Sequence, residues 1–275
     1  MTGVLEAVDV CKSFTVRRDG QTRVVKAVNH VSVAVQRGEI VGLVGESGSG
    51  KTTIARIMIG IEQASSGRVL YDGRPLETRK QWADLRCDVQ YVFQDPFTAL
   101  CPTMRIGDAL AEPLIIHHIG TRDERVGRVA SMLELVGLHR DVARRLPNQL
   151  SGGQRQRVNL ARALMLEPKI LICDEIVSGL DVSIQAQVLQ LLIDLQERLG
   201  LSLIFISHDL RVVRYLCSRV LVMYLGEIVE QGPTATVFDT PQHAYTKALL
   251  AAIPDHSGAV QGPDGTHMEV AQTHG

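Results

Sequence analysis

Hydrophobic positions along the chain follow two periods, one typical of strands and one typical of helices. Residues 4–11 and 31–35 alternate apolar and polar side chains, as half-buried strands do. A continuous apolar run, typical of a fully buried strand, covers residues 40–44. Further strand patterns cover residues 89–93, 170–173, 201–207 and 219–224. Helical periodicity takes over between these runs, so strands and helices alternate along most of the chain.

This alternation predicts an α/β fold with a mostly parallel sheet that helices cover on both faces. Residues 67–75 indicate a hairpin with Asp72 and Gly73 at its turn. Residues 103–149 have a helical pattern and form an insertion between two strands, with Gly137 as a helix C-cap. Residues 255–275 are polar and rich in Gly and His, so we expect a disordered tail there.

Composition and charge exclude several classes of protein. The net charge of −1 gives no support for binding nucleic acid or anionic lipid as a whole molecule. No apolar run approaches the length of a membrane span, about 18 residues, and the N-terminus lacks the layout of a signal peptide. The five cysteines are scattered and odd in number, which predicts reduced thiols rather than a disulfide framework or zinc site.

A glycine-rich segment follows the buried strand at 40–44 and leads into a helical pattern. It fits G-x-x-x-x-G-K-[ST] without mismatch, and although a glycine-rich turn without function can match by chance, the strand and helix around it favour a P-loop NTPase. Backbone N–H groups of such a loop point at phosphate oxygens, while Lys51 reaches the β- and γ-phosphates and Thr52 binds Mg²⁺. The predicted nucleotide-binding residues are Gly45, Ser47, Gly48, Ser49, Gly50, Lys51, Thr52 and Thr53.

Two carboxylates follow the buried strand at 170–173. Acidic residues are also common where a strand simply ends at the solvent. A functional site is favoured here because ligands bind at the carboxyl ends of strands in open α/β sheets. Asp174 is predicted to bind Mg²⁺, and Glu175 to orient and deprotonate a water that attacks the γ-phosphate.

Residues 150–154 read Leu-Ser-Gly-Gly-Gln and open a helix, so they indicate a second anion site at a helix N-terminus, although Ser-Gly-Gly is also a common capping turn. This pentapeptide is the signature of ABC ATPases, and the chain resembles that family along nearly its whole length. The resemblance implies a P-loop NTPase core with a mostly parallel sheet, an N-terminal antiparallel β subdomain and an inserted α-helical subdomain. It also implies that Ser151, Gly153 and Gln154 contact ATP held by an opposite subunit.

Other residues match family motifs in the expected order. Gln94 resembles the Q-loop glutamine, which touches the metal and the attacking water, and Asp181 lies in a segment that resembles the D-loop. His208 resembles the switch histidine at the γ-phosphate, and Phe14 resembles the aromatic residue that stacks on adenine. The resemblance thus implies catalytic roles for Glu175, His208, Gln94 and Lys51, and metal binding by Thr52, Gln94 and Asp174. Tyr91 and Phe93 are interpreted as core residues.

Among ABC ATPases the chain resembles the oligopeptide, dipeptide and nickel importers, and within them the second of two paired ATPase subunits. The matching stretches are residues 173–188, 94–97, 223–230 and 241–250. The resemblance implies an ATPase domain at 1–254, with a helical subdomain at about 95–160 and a short C-terminal extension at about 231–254. Gly179 and Cys101 depart from the family's usual Ala and Asn. No cysteine follows Cys217, so no iron–sulfur cluster is expected.

The resemblance implies an ATPase subunit that couples hydrolysis of MgATP to uptake of peptides or a related small solute, with nickel or metal-chelate import as the alternative. The implied partners are a second ATPase subunit, identical or homologous, two transmembrane permeases and, indirectly, an extracytoplasmic solute-binding protein. The implied location is the cytoplasmic face of the cell membrane. A soluble ABC protein of repair or translation, an exporter and a non-hydrolysing regulatory subunit are less favoured.

Overall fold

An antiparallel sheet contains the first part of the chain in the computed structural model, which describes residues 3–18, 21–94 and 99–252. Its strands are β1 (Leu5–Arg18), β2 (Gln21–Val35), β4 (Ser66–Tyr71) and β5 (Arg74–Pro75). They lie in the order β2-β1-β4-β5, and every neighbouring pair is antiparallel. Asp72 and Gly73 both have positive φ between β4 and β5, which confirms the predicted hairpin turn.

The hairpin of β1 and β2 is longer than the sequence pattern predicts. Strands are expected at 4–11 and 31–35, yet pairing continues to Arg18 and begins at Gln21. Val16, Val24 and Val25 are exposed in this extension. Hydrogen bonds and β-branched residues stabilise this part of the hairpin, which has no buried face. The sequence there therefore lacks the alternation of apolar and polar positions that indicates a half-buried strand.

The second sheet is mostly parallel, as predicted. It contains β3 (Ile40–Val44), β6 (Val89–Val92), β7 (Ile170–Asp174), β8 (Ser202–Ser207), β9 (Arg219–Tyr224) and β10 (Glu227–Pro233). Their order is β10-β9-β3-β8-β7-β6, and only the pair of β9 and β10 is antiparallel among the described strands. The carboxyl ends of β3, β6, β7, β8 and β9 therefore meet at one edge.

Helices connect and cover the strands. They are α1 (Lys51–Met58), α2 (Arg79–Asp88), α3 (Ile106–Ile116), α4 (Arg122–Leu135), α5 (Gly152–Leu164), α6 (Val182–Leu199), α7 (Leu210–Leu216), α8 (Thr234–Asp239) and α9 (Ala244–Ala251), with 3₁₀ turns at Arg140–Arg144 and Pro147–Gln149. Over the residues that the structure describes, none of these helices has the length and apolar character to cross a membrane.

Alternating side chains of the parallel strands divide the core. Ile172 on β7 packs with α1 and the antiparallel sheet, whereas its neighbour Cys173 packs with α6 and α7 on the opposite face. A third cluster lies between α5 and the two helices of the predicted insertion, α3 and α4. Because α5 contributes Leu160 to the second cluster and Val158 to the third, this one helix joins the insertion to the sheet.

Helix caps agree with the sequence expectations. Gly137 has φ +71, just beyond the end of α4, and is thus confirmed at a helix C-terminus. Ser151 is the N-cap of α5 and forms a capping box with Gln154. The expected tail at 255–275 and the residues 95–97 that follow Gln94 lie outside the described part of the chain.

Candidate active site

The site is assembled where the parallel strands end. The glycine-rich segment at 45–50 follows β3, and Asp174 and Glu175 follow the body of β7. His208 comes directly after β8, and Gln94 comes two residues after β6. Because these strands are parallel neighbours, residues distant in sequence are brought to the same edge of the sheet.

Glycine is required at two positions of this segment, which we call the phosphate loop (residues 45–52). A Cβ atom on Gly45 would lie 2.1 Å from the carbonyl oxygen of Met223, and φ at this residue is +146. A Cβ atom on Gly50 would lie 2.2 Å from the carbonyl oxygen of Ala27, with φ +109. Only glycine allows the loop to pass this close to β9 and β2.

Lys51 projects into the phosphate loop. Its side chain is buried, and Nζ donates hydrogen bonds to the carbonyl oxygens of Gly45 and Glu46, both at 2.8 Å. Burial lowers the pKa of this ammonium group, while the nearby carboxylates of Glu175 and Asp174 oppose that shift. A cation is therefore held where the loop and the start of α1 can receive phosphate oxygens.

The two carboxylate oxygens of Asp174 have different surroundings. Oδ2 accepts from the Thr52 hydroxyl at 2.9 Å and from the Tyr91 hydroxyl at 2.5 Å. Oδ1 is buried and has no hydrogen-bond partner in the described part of the chain. A carboxylate oxygen beside a threonine hydroxyl is the donor set that Mg²⁺ prefers when substrate phosphates supply further ligands, so these residues fit the ion.

Glu175 has a strained backbone, and polar side chains lie beside its carboxylate. Its φ of +49 is uncommon for a residue with a side chain, and such strain is concentrated at functional sites. Gln94 Nε2 donates to Glu175 Oε2 at 2.9 Å, and His208 Nδ1 lies 3.4 Å from Oε1. The carboxylate lines a cavity of about 120 Å³ that is also lined by Ser178, Leu180 and His208. This arrangement can hold and deprotonate a small nucleophile such as water.

The signature turn lies beside the predicted D-loop. A Cβ atom on Gly152 would meet Leu180 at 3.6 Å, and one on Gly153 would meet Ile184 at 2.7 Å. The first hydrogen bond of α5 runs from Arg155 N–H to Ser151 O, so the N–H groups of Gly152 and Gly153 precede the helical ladder. Among the described residues, no hydrogen bond joins 151–154 to the phosphate loop. Asp181 is the exposed N-cap residue of α6, and its side chain makes no capping hydrogen bond within the described part of the chain.

Phe14 lies on β1, and Lys12 Nζ is 5.0 Å from the centre of its ring. The residue pairs with Val25 on β2, two residues before Ala27, which contacts Gly50. The ring is 36% exposed, so an accessible aromatic side chain lies on the strand that pairs with β2. The prediction that Phe14 stacks on adenine stays a prediction.

Two residues differ from their predicted roles. Phe93 is 41% exposed, so its interpretation as a core residue is wrong; it follows the last residue of β6, where the sheet no longer covers it. Tyr91 packs against the core but also donates to Asp174, a contact that the sequence interpretation missed. A tyrosine in a buried strand requires a partner for its hydroxyl group, and this requirement is the clue that could have revealed the contact.

The two departures from the family pattern also have structural settings. Gly179 has φ +73, and a Cβ atom there would meet no atom within 4 Å. Alanine at this backbone conformation would be strained, whereas glycine adopts it freely. Cys101 is exposed, and all five cysteines are free.

Comparison with known proteins agrees with this geometry. Residues 28–178 match the ABC transporter family, and residues 229–274 match the C-terminal region of oligopeptide/dipeptide transporters. A relative from Brucella abortus (strain 2308) that is named a peptide import ATP-binding protein is 51% identical over 251 residues, which cover 90% of this chain and 75% of the relative. A Brucella ovis relative with the same kind of name is 51% identical over 238 residues, covering 85% of this chain and 75% of the relative.

Solved structures share the fold. CbiO1 from Clostridium perfringens, part of the ABC transporter complex cbiONQ, superposes with a TM-score of 0.76 at 30% identity, over 87% of this chain and 92% of that one. The ATP-binding cassette MJ0796, a dimer in a post-hydrolysis state bound to ADP and Pi, gives a TM-score of 0.73 at 29% identity, over 84% of this chain and 98% of that one. The match over more than half of the chain, together with the C-terminal match, shows that this protein belongs to the ABC transporter family as an ATPase subunit of the oligopeptide/dipeptide transporter type.

Proposed function

We propose that the chain hydrolyses MgATP at sites shared between two ATPase domains and thereby drives the import of peptides through a membrane permease. The observation that carries this proposal is the separation of two half-sites on one chain. Lys51, Asp174 and Glu175 are grouped at the end of the parallel sheet, while Ser151 and Asp181 are grouped at the starts of α5 and α6.

The first half-site suits the nucleotide's phosphates and metal. The loop residues Gly45, Ser47, Gly48, Ser49, Gly50, Lys51, Thr52 and Thr53 supply backbone N–H groups, hydroxyl groups and one cation. Thr52, Asp174 and Gln94 supply oxygen ligands for Mg²⁺, which when bound neutralises charge on the phosphates. Phe14 supplies an aromatic face for adenine. The contact of Thr52 with Asp174 at 2.9 Å supports the metal assignment.

Glu175 is proposed as the general base of ATP hydrolysis. Its carboxylate lies within reach of Gln94 and His208, so these two polar side chains can orient a water molecule and sense the γ-phosphate. Lys51 balances negative charge on the transferred phosphoryl group. Catalysis of this kind depends on positioning and charge stabilisation more than on covalent chemistry.

The second half-site faces a different nucleotide. The N–H groups at the start of α5 precede the helical ladder, and Ser151, Gly153 and Gln154 surround them. A helix N-terminus with free amides attracts anions. In our proposal these residues and Asp181 complete the site of a second ATPase domain, identical or homologous to this one. A single chain then binds ATP but hydrolyses it slowly.

The partners and cargo follow from the family. The Brucella relatives are named for peptide import, which favours peptides over nickel or metal chelates and over a soluble role in repair or translation. The proposed complex contains two permease subunits and works with an extracytoplasmic solute-binding protein, with this chain at the cytoplasmic face of the membrane. The ATPase domain is assigned to residues 1–254, with its helical subdomain at about 95–160 and its C-terminal extension at about 231–254.

Peptide uptake in the native cells tests the proposal. Replacing the chain with its Glu175→Gln variant should stop uptake of labelled di- to pentapeptides, and ATP hydrolysis by the purified transporter should fall by about 10²–10⁴-fold. Glu197→Gln makes the same chemical change at an exposed position of α6 and should leave both unchanged.

Uptake of radioactive nickel in the same cells separates the two cargo classes. Loss of peptide uptake with normal nickel uptake supports the proposal. Loss of nickel uptake with normal peptide uptake would assign the cargo to metal, and normal uptake of both by the Glu175→Gln cells would refute the importer function.

A further inference from the structure

The last helix of the described chain contacts the phosphate loop. The Tyr245 hydroxyl on α9 accepts a hydrogen bond from the Glu46 backbone N–H at 2.9 Å. Tyr245 lies within residues 229–274, which match the C-terminal region of oligopeptide/dipeptide transporters. This hydrogen bond joins the region directly to the nucleotide-binding part of the ATPase domain.

The Tyr245 side chain is fixed by its surroundings. Its ring stacks on that of Tyr224 with centroids 4.0 Å apart and an angle of 29° between the planes. Tyr224 is the last residue of β9, the neighbour of the strand that leads into the phosphate loop. Burial raises the pKa of the Tyr245 hydroxyl, so it remains neutral at physiological pH.

The start of α9 is also fixed to the sheet. The Glu230 carboxylate on β10 accepts hydrogen bonds from the backbone N–H groups of Gln242 and His243, at 2.8 and 3.0 Å. His243 Nδ1 in turn accepts from the Tyr245 backbone N–H at 3.2 Å. The position of the Tyr245 hydroxyl is therefore set by the sheet as well as by its own helix.

The hydrogen bond with Tyr245 orients the peptide group whose carbonyl oxygen accepts a hydrogen bond from Lys51. Glu46 N–H and Gly45 C=O belong to the same trans peptide group and point in opposite directions. The N–H meets Tyr245, and the Gly45 carbonyl oxygen receives Lys51 Nζ at 2.8 Å. Tyr245 therefore restrains, from outside the loop, the group that holds the phosphate-binding ammonium inside it.

We infer that Tyr245 is a positioning residue for ATP binding, which acts through the Gly45–Glu46 peptide on the phosphate loop and on Lys51. The inference rests on the proposed function, in which ATP is bound by this loop. It assigns a role in nucleotide affinity to the importer-type C-terminal region, so movement of α9 would change how tightly the chain binds ATP.

The Tyr245→Phe variant tests this role because it removes the hydroxyl and keeps the stacked ring. Calorimetric titration of the full chain with MgATP, in a Glu175→Gln background that prevents turnover, should show binding weakened by about 3- to 10-fold. Hydrogen exchange of the Glu46 amide should become faster. In the assembled transporter with Glu175 intact, the KM for ATP should rise by the same factor with kcat unchanged.

Tyr224→Phe is the matched control, since the Tyr224 hydroxyl has no hydrogen bond to any residue that the structure describes. It should bind MgATP as the parent does. If Tyr245→Phe binds MgATP with parental affinity, or if its Glu46 amide exchanges at the parental rate, the inference is wrong. A failure of the proposed function gives a different result. In that case the parent protein would bind no MgATP, or the Lys51→Ala variant would bind MgATP as tightly as the parent does.

Discussion

The Tyr91 hydroxyl donates a hydrogen bond of 2.5 Å to Oδ2 of Asp174, the oxygen that also accepts from Thr52. With Oδ2 held from two sides, Oδ1 is left without a hydrogen-bond partner among the described residues. The two carboxylate oxygens therefore have different tasks: one fixes the orientation of the side chain, and the other is available to a metal ion.

Replacing Tyr91 with Phe should raise the Mg²⁺ concentration needed for half-maximal ATP hydrolysis by about 3- to 10-fold, because Asp174 loses the orienting hydrogen bond from the Tyr91 hydroxyl. Magnesium titration of ATPase activity measures this effect, and calorimetric titration with MgATP provides a second readout.

Tyr71→Phe is the matched control for that experiment. Tyr71 donates to Asp88 at 2.7 Å, so the variant loses the same type of hydrogen bond at a distance from the site. It should lower stability without changing the magnesium requirement. Equal magnesium requirements in the Tyr91→Phe, Tyr71→Phe and parental proteins would contradict the role given to Tyr91.

Two glycines of the phosphate loop should respond differently to alanine. Gly48 has φ +83 and no atom within 4 Å of an added Cβ, so Gly48→Ala should cost only backbone strain, about 1–3 kcal/mol in the free energy of unfolding. Gly50→Ala adds a clash with Ala27 O at 2.2 Å and should cost more and abolish ATP binding. Urea denaturation measures both costs, and a smaller loss for Gly50→Ala than for Gly48→Ala would contradict the loop geometry.

The stability of the chain without nucleotide should depend on pH through Lys51. Burial lowers the pKa of Lys51 below its ordinary value of 10.5, so the unfolded chain keeps this proton to higher pH than the folded chain does. As pH rises through the folded pKa toward 10.5, the unfolded state binds more protons, and the free energy of unfolding gains about 1.4 kcal/mol per unit of pKa difference.

Lys51→Met lacks this group and provides the reference. The free energy of unfolding of the parent minus that of Lys51→Met, from urea denaturation at each pH, should be constant at neutral pH and increase in the alkaline range below 10.5. A difference that stays constant or decreases across that range would show that the ammonium group is not destabilised by burial.

The cysteines should differ in reactivity toward iodoacetamide. Hydrogen bonds with Thr103 lower the pKa of the exposed Cys101 thiol, whereas burial raises the pKa of Cys173 to about 12 and raises that of Cys217 as well. Since the thiolate is the reactive form, Cys101 should be alkylated first, and Cys173 and Cys217 only after unfolding. Peptide mass spectrometry at timed intervals measures this order, and alkylation of Cys173 in the folded protein before Cys101 would contradict it.

The sequence predicts the strand, glycine loop and helix around Lys51 because each has a local pattern: an apolar run, a fixed glycine spacing and helical periodicity. Asp174 and Glu175 are equally visible, because they end a buried strand. Contacts that depend on tertiary pairing have no such local pattern. Tyr91 reads as one more apolar position of β6, and only the pairing of β6 with β7 shows that its hydroxyl meets Asp174.

Tyr245 illustrates the same limit over a longer distance. Its motif marks the transporter type, yet its contact with Glu46 depends on β9 and β10 bringing the C-terminal helix back to the phosphate loop. The sequence pattern predicts a shorter β1–β2 hairpin for a different reason. The outer half of this hairpin is stabilised by pairing between the strands and presents exposed valines rather than a buried face.

Light scattering of the Glu175→Gln chain with MgATP, alone and mixed with the second ATPase domain of its transporter, tests most directly whether two domains share each nucleotide. The ATP-bound variant should associate into a two-domain particle in at least one of these samples. Adding Ser151→Arg should prevent association while leaving ATP binding intact, because Ser151 lies on the half-site that faces the other domain. Full ATP hydrolysis by an isolated monomer with Glu175 intact, and no association of either kind, would contradict the shared site.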